Sequence, residues 1–188
     1  MSDTNTQRTN RHPAPHFTEI PQSDYSLSMR TLFIIPLVLM SLVSFPSWGA
    51  DFNKGLTAAH KGDFATAFKE WKPLAEQGNA GAQYNLAVMY QRGRGVPRDF
   101  KEAVRLYTLA AEKGFAEAQN NLSNRYYYGE GVIKDIVYAH MWKNIASSNG
   151  YEPAKEHLMA FEEKMTSSQI EEAQRLAREC VKKNYKGC

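Results

Sequence analysis

Residues 82–99, AQYNLAVMYQRGRGVPRD, return 36 residues later as AQNNLSNRYYYGEGVIKD. Ala82, Gln83, Asn85, Leu86, Tyr90, Gly93, Gly95, Val96 and Asp99 meet Ala118, Gln119, Asn121, Leu122, Tyr126, Gly129, Gly131, Val132 and Asp135 at one constant offset. A fixed period in the thirties marks one supersecondary unit copied in tandem, and such units hide their apolar sides only by stacking on one another. The chain is thereby restricted to an array of like units before any helix is assigned. Function is weighted too, because arrays of this kind offer a surface to a partner more often than a pocket for chemistry.

Two further copies show in outline. Upstream, Phe64, Ala67, Trp71 and Gly78 align with Phe100, Ala103, Tyr107 and Gly114; downstream, Gly150 continues the Gly78/Gly114 series. Each copy reads as a helix pair. In the first helix Ala82, Leu86 and Tyr90 fall at i, i+4 and i+8, one apolar stripe. Gly93-x-Gly95-Val96 breaks it. Asp99 caps the second helix, whose apolar face holds Phe100, Ala103, Val104, Tyr107, Leu109 and Ala110. Gly114 stops it where a left-handed backbone is needed. Asp135 and Gly150 repeat the scheme. Pro153 suits a first helical turn, in a helix expected to run to about Met165. Thr166 and Gln169 have capping-box spacing and open a final amphipathic helix over 167–183. Such a helix covers the exposed apolar end of an array. The organisation expected is therefore copies at 52–80, 81–116 and 117–152 within a repeat domain of 50–152, then capping helices and a tail at 153–188.

The segment AQYNLAVMYQRGRGVPRDFKEAVRLYTLAAEKG resembles the Sel-1-like repeat, a relative of the tetratricopeptide repeat. Ala82, Leu86, Tyr90, Gly93, Gly95, Val96, Asp99, Ala103, Tyr107, Ala110, Ala111 and Gly114 carry the likeness. The third copy departs from the pattern: Lys143 stands where the family prefers an aromatic, and Ser147 where it prefers alanine. The first copy lacks the GxGV loop. The resemblance implies an all-α fold, a right-handed α-solenoid of antiparallel helix pairs with C-terminal capping helices. It implies a scaffold or adaptor for protein–protein contact, with the first helix of each pair lining a concave face. Transferred by position, the partner-binding residues are Tyr84, Val88, Gln91 and Arg92 in one copy, and Asn120, Asn124, Tyr127 and Tyr128 in the next. Tyrosine, arginine and asparagine suit a groove because they give contact area and directed hydrogen bonds.

The N-terminus reads as a targeting segment. Residues 1–28 are polar and without apolar periodicity, as a disordered extension is. Arg30 precedes an uncharged stretch from Thr31 to Phe45, followed by small residues, the three parts of a secretory signal. Cleavage after Gly49 is expected, giving a signal at 29–49, with translation starting at Met29. The rival reading is a retained membrane anchor, but a span needs about 20 apolar residues and Pro36 interrupts this one. Export places the protein in the periplasm or outside the cell, an oxidising setting. Under that reading Cys180 and Cys188 form a disulfide, provided the tail folds back; the alternative is two free thiols on a frayed end.

The chemistry expected is sparse. Net charge is +3 over 188 residues with no long like-charged run, which argues against nucleic acid. Gly93-Arg94-Gly95 and Gly129-Glu130-Gly131 lack the strand, the third glycine and the Gly-Lys-Ser/Thr of phosphate loops, and read as inter-helix turns. His140 falls in a packed helix, a core or boundary residue rather than a ligand. His60 and His157 read as surface residues, and His12 and His16 lie in the polar tail around two prolines. No metal or cofactor is called for. Asn121-Leu122-Ser123 matches a glycosylation pattern but sits within a packed helix. The resemblance brings one enzymatic alternative, a β-lactam-binding protein or weak β-lactamase, as described for cysteine-rich secreted relatives. Those relatives carry cysteine pairs within each repeat, absent here, and the chain has no Ser-x-x-Lys, Ser-Asp-Asn or Lys-Thr-Gly. The reading is therefore a non-enzymatic scaffold of the cell envelope that binds a protein or peptide, touching membrane only if 31–45 stays uncut.

Overall fold

The computed structural model describes residues 49–188; the extension, signal and start-site readings fall on residues 1–48 and lie outside them. Eight helices and no strands follow in the described residues: α1 (Phe52–His60), α2 (Phe64–Glu76), α3 (Ala80–Arg92), α4 (Phe100–Ala111), α5 (Ala116–Tyr128), α6 (Ile136–Ser148), α7 (Glu152–Glu162) and α8 (Ser167–Lys182). None is long and apolar enough to cross a membrane.

Side chains start most of these helices. Asp99 accepts from the backbone N–H groups of Lys101 and Glu102, and Asp135 from those of Val137 and Tyr138. Asn79 caps α3 through the Ala82 N–H, and Asp51 and Asp63 do the same for α1 and α2. Each such bond satisfies a donor the helix cannot, worth about 1 kcal/mol. α5 starts at Phe115 without a side-chain cap. Thr166 and Gln169 form the reciprocal capping box at α8. α7 stops at Glu162, short of Met165, because tight turns from Lys164 to Phe161 and from Met165 to Glu162 lead into the α8 cap.

The GxG turns are alike in both repeats. Gly93 and Gly129 end their helices at φ 64° and 71°. The Asp99 N–H then donates to the Tyr90 carbonyl, and the Asp135 N–H to the Tyr126 carbonyl, at 3.0 and 2.9 Å. The second glycine does other work. A Cβ on Gly95 would lie 2.7 Å from Phe64 Cβ and 3.0 Å from its carbonyl carbon, and one on Gly131 would overlap the Phe100 carbonyl. Both glycines also sit at positive φ. Each loop thus rests on the backbone that opens the second helix of the preceding unit, a contact only glycine permits.

Each helix packs on the next, as in an α-solenoid, and α8 skips α7 to lie on α6. Leu86, Ala103, Leu106, Ala110, Leu122 and Ile145 are buried along the array. Leu106, outside the expected apolar face, is buried as well, 3% exposed. Burial of the leucine and isoleucine side chains, at about 1.5–3 kcal/mol each, is what the units gain by stacking. One series runs through every unit at the 36-residue step: Trp71, Tyr107 and Lys143, all buried. Trp71 lies against α1, where a Cβ on Gly55 would overlap its indole, and its Nε1 donates to the Phe52 carbonyl at 3.2 Å.

Cys180 and Cys188 are joined by a disulfide with Cα atoms 5.5 Å apart. The tail folds back through Asn184 and Tyr185, both at positive φ. Its end reaches α4, where the Gly187 N–H donates to Glu112 Oε1 at 3.1 Å.

Candidate partner-binding site

The second and third members of that series organise the face expected to bind a partner. Over α4, helices α3 and α5 meet at Tyr107. Its hydroxyl donates to Gln91 Oε1 at 2.6 Å and accepts from Asn121 Nδ2 at 3.2 Å. Tyr84 leans on Tyr107 and on Phe115, with ring centroids 6.0 and 5.2 Å apart. Burial pushes the Tyr107 and Tyr84 hydroxyls above the ordinary phenol range, so both stay neutral.

One unit later α5 and α7 meet over α6, and a lysine replaces the tyrosine. Lys143 Nζ donates to Asn120 Oδ1 at 2.6 Å and to Asn124 Oδ1 at 2.9 Å. It lies 5.2 Å from the centre of the Phe161 ring. It forms no ion pair among the described residues, and burial pulls its pKa down to about 8. Tyr127 stacks on the other side of this cluster, 4.7 Å from Phe161, and its hydroxyl accepts from Lys164 Nζ at 2.5 Å.

The eight expected contact residues therefore separate. Asn120 is not an open groove residue: it is 8% exposed and committed to Lys143. Asn124 shares that duty. Gln91 holds Tyr107, and Tyr84, Val88 and Tyr127 are half-buried in the packing. Arg92 and Tyr128 are exposed, Tyr128 at 64%. Tyr128 borders a shallow hollow of about 280 Å³ at the C-terminal ends of α3 and α5, with Gln91, Phe100, Arg125 and Glu130. Arg125 is ion-paired to Glu130 and lies 5.7 Å over the Phe100 ring. What the face can offer is an aromatic surface, an amide and a fixed guanidinium–carboxylate pair.

Sequence reasoning missed Phe100, Arg125 and Glu130, which come from three different segments and share no period. It also missed the work of Lys143, although the departure from an aromatic there was the visible signal. His140 is fully buried, its Nε2 3.0 Å from Glu162 Oε1, whereas His60 and His157 are exposed. Asn121 spends its amide on Tyr107 inside α5.

Known proteins agree with this architecture. The Sel1 repeat family matches residues 80–115 and 116–151. A protective antigen present in uropathogenic Escherichia coli strains, which displays an SLR fold, superposes with a TM-score of 0.67 at 29% identity, over 71% of this chain and 30% of its own. A Sel1 repeat protein from Oxalobacter formigenes has a TM-score of 0.49 at 37% identity, over 50% of this chain and 27% of its own. Among curated proteins, DAP3-binding cell death enhancer 1 of Rattus norvegicus is 42% identical over 43 residues, covering 23% of this chain. The Mus musculus protein of that name is 40% identical over the same length. The chain spans 8% of the length of these curated relatives. Residues 80–151, helices α3–α6, are thus two consecutive Sel1 repeats, stacked as an α-solenoid like that of the SLR-fold antigen.

Proposed function

We propose that the protein is an adaptor of the cell envelope that holds a protein or peptide partner on the α3–α5 face. Sel1 repeats are protein-binding scaffolds, and that coarser role accompanies the fold. The observation that carries the finer reading is Tyr128. It is a large aromatic left 64% exposed beside a hollow that already contains a fixed ion pair, while the other residues of the face except Arg92 are tied into packing. Exposed aromatics next to ordered polar groups are the usual anchors of interfaces. The envelope location draws on the apolar stretch Thr31–Phe45 behind Arg30 and on the Cys180–Cys188 disulfide, a bond that persists in oxidising compartments.

Photo-crosslinking in intact cells tests the face. A photoreactive residue at Tyr128 gives a discrete adduct, and the same residue at exposed Lys101 does not. An identical adduct pattern from both positions would overturn the assignment. Arg92→Ala combined with Tyr128→Ala weakens capture of the crosslinked partner while leaving the far-ultraviolet circular dichroism unchanged. Export has its own measurement: the purified protein begins at residue 50, and a sequence starting earlier defeats that part of the reading.

A further inference from the structure

Two repeat-related grooves lie on the other side of α3 and α5, and the chain fills only one. The groove between α4 and α6 is covered by its own C-terminus. There α8 lies on α6, and Leu176, Cys180, Gly187 and Cys188 close over Tyr138 and Met141. The Tyr185 hydroxyl donates to Asn149 Oδ1 at 3.0 Å. Gln119, at the base of this groove, is satisfied at both ends. Its Nε2 donates to the Ala111 carbonyl at 3.1 Å, and its Oε1 accepts from Asn149 Nδ2 at 2.9 Å.

The equivalent groove between α2 and α4, floored by α3, is open. It holds a cavity of about 300 Å³ walled by Phe68, Leu86, Leu106 and Leu109. Gln83 lines it and reproduces half of Gln119, its Nε2 donating to the Ala75 carbonyl at 3.0 Å. Its Oε1 has no partner, although the residue is only 3% exposed. The counterpart of Asn149 is Lys113, and its ammonium is turned to the Gly78 carbonyl instead.

An orphaned buried acceptor is costly, so a guest that supplies a donor recovers that cost as well as the apolar contact. The rim disfavours a charged guest. Lys72 and Glu76 offset each other on α2, and Glu102 and Arg105 form an ion pair on α4. The guest that fits is large and apolar, with one N–H donor and no acceptor to meet the Gln83 oxygen. Among side chains that is the chemistry of tryptophan. We propose that the α2–α4 groove is a second docking site, taking a tryptophan side chain of a partner protein with its indole N–H on Gln83 Oε1. This site does not depend on the α3–α5 face.

Indole and 1-methylindole separate donor recognition from grease, because the methyl group removes the N–H and adds apolar surface. Titrated into the full chain and followed by amide chemical shifts, indole is expected to move the Gln83 side-chain amide and the Leu109 backbone signal. 1-Methylindole is expected to bind about fivefold more weakly, the worth of one hydrogen bond. Gln83→Leu should bring the two probes level. Leu109→Trp fills the groove from its own wall and should weaken indole binding about tenfold or more. This second variant keeps the test open if Gln83→Leu does not fold. Equal or tighter binding of 1-methylindole, undiminished binding to Leu109→Trp, or no response to either probe at millimolar concentration would each overturn the proposal.

Discussion

Tyr107 and Lys143 hold the same place in consecutive units and are kept there by opposite means. Tyr107 brings its own apolar ring into the core and needs only one acceptor and one donor at its rim, which Gln91 and Asn121 supply. Lys143 brings a charge, so the neighbouring helices are recruited to solvate it with Asn120, Asn124 and the Phe161 ring. Either residue ties up the helices above it: Tyr107 takes Gln91 and Asn121, and Lys143 takes Asn120 and Asn124. The comparison teaches why the candidate face is not open along its length: in both units the positions over the interior row are structural, and exposure is left to Arg92 and Tyr128 at the helix ends.

The largest expected effect falls on the self-sufficient member. Tyr107→Ala empties a fully buried aromatic site and should lower unfolding free energy by about 4 kcal/mol in urea titration. A loss below about 1 kcal/mol would mean that the core there collapses, and that the contrast with Lys143 is weaker than drawn.

Next comes the pH response, which only the lysine should give. Its folded pKa of about 8 lies below the ordinary 10.5, so the unfolded chain keeps the proton that the folded chain has lost. The penalty of burying the charge is present in full below pH 8 and is relieved as pH rises. Stability should therefore climb between pH 8 and 10, by about 2 kcal/mol, while Lys143→Met stays level. Tyr84 and Tyr107, whose hydroxyls are pushed upward, keep their protons in that window. A wild type and a variant with the same slope would show that Lys143 is solvated by other means.

Replacing both Cys180 and Cys188 by serine should cost about 2 kcal/mol, seen as a matching loss under reducing conditions in the wild type. It would also loosen the Gly187 contact to Glu112, making the filled groove resemble the open one. The smallest effect is a control for sameness. Asp99→Ala and Asp135→Ala should each cost about 1 kcal/mol, because both caps make the same pair of bonds. Unequal costs would show that the two units are less alike than their backbones.

What the sequence disclosed follows the same division. Helix starts at Asp99 and Asp135, the breaks at the two GxG turns, the left-handed Gly114 and the buried Leu86 and Leu122 are local or periodic signals, and each was readable. Gln83 and Gln119 were readable as identical positions, but their bonds to carbonyls eight residues back were not, since nothing in a period names an acceptor. The inward turn of Asn120 toward Lys143 was hidden because it depends on a partner 23 residues away that breaks the pattern. The tail contact from Gly187 to Glu112 joins positions 75 residues apart, with no shared motif. The candidate face was thus legible as a set of positions. Which of them remain available was decided by long-range pairings.

The second glycine of each GxG turn has a consequence for how such a chain changes over time. At Gly95 and Gly131 the loop rests on the first residue of an earlier helix, on the main chain and Cβ of Phe64 and on the carbonyl of Phe100, so the interval between successive units is fixed by atoms that every residue type but glycine shares. The interior row can pass from tryptophan to tyrosine to lysine without altering that interval. An array built this way can lengthen or exchange its lining while its pitch is inherited unchanged, provided those two positions never acquire a side chain.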